Sequence, residues 1–193
     1  MLIEDGKGTG KQAKVSGSHR LYVDAKSSSL QHIVSEEEEG AYQVIGTTTA
    51  ASGTETLLHI TNNDTTRELV LSYIRLQQLT LAGGTALPNA ANYFSIRLGS
   101  TYVSGGAAVV PVNVNAGSSN AAAVTVYQTS PVLAGTALEI DRWYPVSDGE
   151  TQTYSKEGAL IINAGQTLEI SYVGDHTSGV LYSRVSFYME PED

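Results

Sequence analysis

Thr167-Leu168-Glu169-Ile170-Ser171-Tyr172-Val173 sets Leu168, Ile170 and Tyr172 against Thr167, Glu169 and Ser171. In an extended chain successive side chains point to opposite sides, so a period of two gives one apolar face and one polar face. That pattern marks a strand with one side buried. It recurs less cleanly in Leu181, Arg184, Val185 and Phe187. In 138–143 it sets Leu138, Ile140 and Arg142 against Glu139, Asp141 and Trp143.

Outward from this stretch, short runs rich in Val, Ile, Thr and Tyr alternate with clusters of Gly, Asn, Asp and Ser. Such residues favour pleated, half-buried surfaces, and such clusters favour turns. Strands are predicted at 42–45, 56–61, 68–77, 93–98, 107–114, 124–128, 138–144, 158–162, 167–173 and 180–188. Asn62-Asn63-Asp64, Gly83-Gly84, Gly105-Gly106, Asp148-Gly149 and Asn163-Ala164-Gly165 supply turns between them. Only 68–81 has a competing reading, because Leu69, Tyr73, Leu76 and Leu79 stand at near-helical spacing; strand is preferred. Many short strands without βαβ alternation predict an all-β protein, a β-sandwich of jelly-roll type.

The chain has 193 residues, 20 acidic and 11 basic, for a net charge of −9, and 16% of its residues are charged. A net negative charge argues against a nucleic-acid partner, whose phosphates demand Lys and Arg, and against an anionic membrane surface. Residues 1–34 hold five basic side chains and three acidic ones, a balance of +2. The rest holds six basic and 17 acidic, a balance of −11. This division predicts an extended, basic N-terminal arm over 1–40 and an acidic β-sandwich domain over 41–193. The start, MLIEDGKGTGK, has no apolar core and reads as no signal peptide. With no cysteine there is no disulfide or thiolate chemistry.

Motifs for catalysis fail on spacing. Asp5–Lys11 is glycine-rich, but the position five before Gly10 is Asp5, and Lys11 is followed by Gln12, so it is no phosphate loop. His19, His32, His59 and His176 lack the close pairing of metal ligands, and Asp175-His176 reads as a solvated turn. Glu36–Glu39 and Asp148-Gly149-Glu150 read as solvated loops rather than calcium cages. Glu139, Asp141 and Glu150 offer carboxylates whose separation the sequence does not set. Gly117-Ser118-Ser119 lacks the strand-to-helix setting of a nucleophile elbow. The expectation is a protein that is not an enzyme and uses no cofactor.

Eleven of the aromatic residues are Tyr, a side chain suited to surfaces that are wet when free and buried on assembly. Trp143 and Tyr144 beside Arg142 carry a second reading, stacking on a sugar ring, with half-buried strand packing as the ordinary one.

Ala13-Lys14-Val15, Arg20-Leu21-Tyr22-Val23 and the run from Ser35 to Tyr42 resemble the opening of tailed-bacteriophage virion structural proteins. The stretch PVNVNAGSSNAAAVTVY at 111–127 resembles such proteins too, and together the two cover about a third of the chain. The resemblance implies a virion role, and it is most like a head decoration, or cement, protein. It implies the major capsid protein as partner, a homo-oligomer with a trimer favoured, and a place on the phage head surface. Lys7, Lys11, Lys14, Arg20, Tyr22 and Lys26 are the expected capsid or subunit contacts. The alternatives are a tail or baseplate component, or a carbohydrate-binding module using Trp143 and Tyr144.

Overall fold

The computed structural model describes residues 3–4, 12–13, 40–155 and 160–191. Lys7, Lys11, Lys14, Arg20, Tyr22, Lys26 and the run Glu36–Glu39 lie outside the described residues. The chain divides into two units, Met1–Leu30 and Gln31–Asp193. In the first, β1 (Ile3–Glu4) and β2 (Gln12–Ala13) pair antiparallel.

The second unit is β throughout its described residues. Its strands are β3 (Ala41–Thr49), β4 (Gly53–Asn62), β5 (Arg67–Ala82), β6 (Tyr93–Leu98), β7 (Thr101–Ser104), β8 (Ala107–Val109) and β9 (Val112–Asn113). There follow β10 (Val124–Gln128), β11 (Val132–Ala134), β12 (Leu138–Trp143), β13 (Thr151–Ser155), β14 (Ile161–Ile162), β15 (Thr167–Gly174) and β16 (Ser178–Pro191). The first sheet runs β13-β5-β16-β3-β9, with β14 also on β5, and the second runs β12-β6-β15-β4-β10-β8. The chain doubles back on itself: β3 pairs with β16, β4 with β15, β5 with β13 and β14, and β6 with β12, all antiparallel. Alternate pairs go to opposite sheets, which is the connectivity of a jelly roll. The predicted sandwich is the observed one.

The two sheets bury Tyr42, Val44, Leu58, Ile60, Leu71, Ile74, Phe94, Ile96, Leu168, Ile170, Tyr172, Val185 and Phe187 in one core. Gly46 sets how closely the sheets approach, since a Cβ there would lie 2.4 Å from Leu58 Cγ. Tyr42 stacks on Phe187 with ring centroids 5.7 Å apart, tying β3 to β16 inside the core.

Residues 68–81 are strand, and a bulge explains their helical look. Phe187 pairs with Leu71 and Ser186 with Tyr73, so Ser72 is the extra residue in the register of β5 against β16. The extra residue shifts the parity: Leu69 and Leu71 face the core before it, Ile74 and Leu76 after it. A second bulge at Ile140 corrects the alternation read in 138–143. Glu139 pairs with Arg97, but Asp141 pairs with Ile96 and Arg142 with Ser95. Arg142 therefore shares the outer face with Glu139, not with Ile140.

The predicted strand 107–114 is two strands. The chain leaves the edge of the second sheet at Val109, passes Val110 and Pro111, and joins the edge of the first at Val112. Pro111 has no N–H for a ladder, which fits a crossing point. Both edge strands come from the long connection between β6 and β12, as do β7 and β11, which pair as a separate ladder. Strands β7, β11 and β13 escaped sequence reading, because TYVS, VLA and TQTYS are too short or too polar to show a buried face.

Candidate functional site

Trp143 and Tyr144 are neighbours in sequence and part company in space. Trp143 pairs with Phe94 on the inner face and stacks on it, with centroids 5.2 Å apart at 19°. Phe94 in turn meets Tyr172 edge-on at 5.2 Å, so the indole is the rim of the core. Tyr144 is exposed, with its ring 5.6 Å from Tyr93. The structure does not bring the two together as one sugar-stacking surface.

Around Tyr144 the outer face of the second sheet is organised by Arg142. Its guanidinium lies 3.9 Å from the Tyr93 ring centroid, donates to the Tyr144 hydroxyl at 3.1 Å, and meets Glu139 at 2.7 Å. Glu139 also accepts from Ser95 at 2.5 Å. That hydrogen bond, helped by Arg142 and Arg97, holds the Glu139 carboxyl below the usual carboxylate range.

The register carries this network across the sheet. Glu139, Arg97, Glu169, His59 and Tyr127 stand opposite one another on successive strands. Arg97 lies 3.6 Å from Glu169, and Ser171 donates to Glu169 as well. An outer face normally meets water, yet His59, Ser95, Glu169 and Ser171 are buried. The connection between β6 and β12 roofs part of this face. Tyr102 of β7 stacks on Tyr127 at 3.7 Å, and the Ser100 carbonyl accepts from Thr167 Oγ1 at 2.6 Å.

His59 Nε2 lies 3.2 Å from the same Ser100 carbonyl. A carbonyl only accepts, so Nε2 carries the proton. Burial lowers the His59 pKa, against the opposing pull of the Ser100 carbonyl and Glu169. The imidazole is therefore neutral under its roof.

A cavity of about 430 Å³ lies at one end of the sandwich, between Leu81, Leu87, Val146, Ser147, Asp148 and His176. His176 is buried, not the solvated turn residue its Gly- and Ser-containing surroundings predict. Its Nδ1 sits 3.1 Å from the Tyr172 hydroxyl and 3.7 Å from Asp175 Oδ1. Burial pushes the Tyr172 hydroxyl up to about 12. Asp175 accepts from the Thr85 hydroxyl at 2.5 Å and the Thr85 amide at 3.0 Å. These bonds, with Asn92 as a further partner, bring the Asp175 carboxyl down to about 2. Gly84 lies flush against this turn, where a Cβ would come 2.7 Å from the His176 amide nitrogen. The cluster fastens the connection between β5 and β6 to the turn between β15 and β16. Among the described residues, no group of three or more acidic or His side chains is placed to hold a metal ion.

No protein-family model matches the chain. No curated protein matches it. Among solved structures it is similar to a chain in the structure of the infectious bursal disease virus Gx strain, at 16% identity and a TM-score of 0.16. The match covers 80% of this chain, which spans 39% of the length of that viral chain.

Proposed function

We propose that the chain is a non-enzymatic structural protein of a tailed-phage virion, which decorates the outer surface of the head and braces contacts between capsomers. The observation that carries this reading is the segregation of charge: +2 on residues 1–34 against −11 on the remainder. A basic segment joined to an acidic body gives one copy a charged handle for an acidic neighbour, which steers and orients docking. The resemblance of 5–47 and 111–127 to virion proteins supports the same role, and jelly rolls recur in viral capsids.

The reading is non-enzymatic because the titratable side chains that meet in the sandwich are engaged in holding it. Glu139 and Arg142 clamp the β12 edge, Arg97 and Glu169 bridge neighbouring strands, and His59 fastens the roof. Asp175, His176 and Tyr172 fasten two connections at one end. In this reading Lys7, Lys11, Lys14, Arg20, Tyr22 and Lys26 contact the major capsid protein. The test is co-sedimentation of the chain with purified phage heads. Deleting residues 1–34 is expected to abolish binding and leave a folded, soluble body. Undiminished binding of the deleted form would contradict the clamping role.

A carbohydrate-binding reading keeps one specific support, the exposed Tyr144 beside Tyr93 and Arg142. It would use those residues and not Trp143. Glycan-array binding that Tyr144→Ala removes would favour it over the head reading.

A further inference from the structure

We infer that the side wall of the sandwich formed by β8, the Val110–Pro111 crossing and β9 is where a second copy of this chain docks. Val110, Val112 and Val114 alternate along this segment and are 80%, 69% and 51% exposed. Pro111 and Asn113, between them, are half-buried. A period of two with valine on the wet side reverses the arrangement that a solvated strand favours. Val112 lies opposite Gln43 on the outer face, and the exposed Ile45 follows two residues along β3. One edge of β9 pairs with β3, and its other edge meets no strand among the described residues. Solitary proteins guard such an edge with lysines, inward charges, proline or brevity; here, among the described residues, Pro111 and the two-residue length of β9 are the guards, and no charge is.

Charge identifies the occupant. Between Arg97 and Glu139 the chain has no Asp, Glu, Lys, Arg or His, although 16% of its residues are charged overall. Two copies that each carry −9 repel wherever both bring carboxylates, so they meet best where neither brings any. A partner of opposite charge would be recognised by ionic groups, and this wall offers none. Depletion of charge around exposed aliphatic side chains is the composition of an interface core. The inference goes beyond the head reading and does not need it.

Sedimentation velocity of the full chain tests it. The expected result is a mass that is a multiple of 20.4 kDa, with association that strengthens as sodium chloride screens the like charges. Val110→Lys with Val112→Lys should weaken association by roughly tenfold or more, because a buried lysine would lack a partner. Leu138→Lys, exposed on β12 at the opposite edge of the second sheet, should leave it unchanged. Because the chain has no cysteine, Val112→Cys provides a single thiol for a second measurement. Its labelling by a maleimide should slow as the chain is concentrated, while that of Leu138→Cys should not. A wild-type chain that stays monomeric up to about 100 µM overturns the inference and leaves capsid binding to be decided separately. So does a double-lysine form that assembles like wild type, or a Val112→Cys thiol labelled at one rate throughout.

Discussion

Arg75 and Arg184 stand directly opposite each other on β5 and β16, two guanidinium groups in one cross-strand pair on the outer face of the first sheet. Among the described residues neither has a carboxylate in salt-bridge range, whereas Arg67, Arg97 and Arg142 each have one. Arg184 is held instead by the Tyr182 and Tyr73 hydroxyls, which raise its pKa. Tyr73 also accepts a hydrogen bond from Gln43 at 2.8 Å, so the row is tied across β5 and β3.

Like charges placed opposite each other destabilise a sheet, and opposite charges stabilise it. Arg75→Glu converts the pair and should raise the stability of the isolated chain by about 0.5 kcal/mol. Urea unfolding at low salt measures it. A lower midpoint would show that the repulsion is already relieved by other means.

Trp143→Ala is expected to act on the fold. Its ring stacks on Phe94 at the margin of the core, and removing it should cost about 2 kcal/mol. Tyr144→Ala, exposed on the other face, should change stability by less than about 0.5 kcal/mol. Thermal melts of the two variants separate them. Equal melting temperatures would contradict the placement of the indole.

His59 sets an acid limit on the roof over the second sheet. Its folded pKa is lowered from the ordinary 6.5, so the unfolded chain takes up the proton first as pH falls. Stability is therefore fully present above 6.5 and declines as pH drops from there towards the lowered folded value. The depressed carboxylates Asp64, Asp175 and Glu139 lose their contributions only further down, below ordinary values of 3.8 and 4.5. His59→Gln, which keeps a donor for the Ser100 carbonyl, should flatten stability between about pH 7 and about pH 5. Hydrogen exchange of the Ser100 to Ser104 amides should report the same loss locally in wild type. A wild-type profile flat across that range would contradict the burial of the imidazole.

How far the sequence could be read depended on where alternation stayed in phase. In 167–173 no bulge lies within the apolar run against β6, and Leu168, Ile170 and Tyr172 all reach the core. At Ser72 in 68–81 and at Ile140 in 138–143 an extra residue moves the side chains that follow it to the other face. A bulge leaves no mark in composition, which is why Trp143 looked as available as Tyr144. The jelly-roll pairing of β3 with β16 rests on contacts between residues far apart in sequence that local patterns do not record. The uncharged run from Arg97 to Glu139 is different: it is plain in the sequence. What the sequence does not show is that β8 and β9 place this run at an edge with valines on the wet side.

The most direct measurement of the proposed head role is immunogold labelling of the purified tailed-phage virions to which that proposal assigns the chain. Gold distributed over the outer surface of intact heads is the expected result. Gold confined to the tail or baseplate, or virions without label, would contradict it.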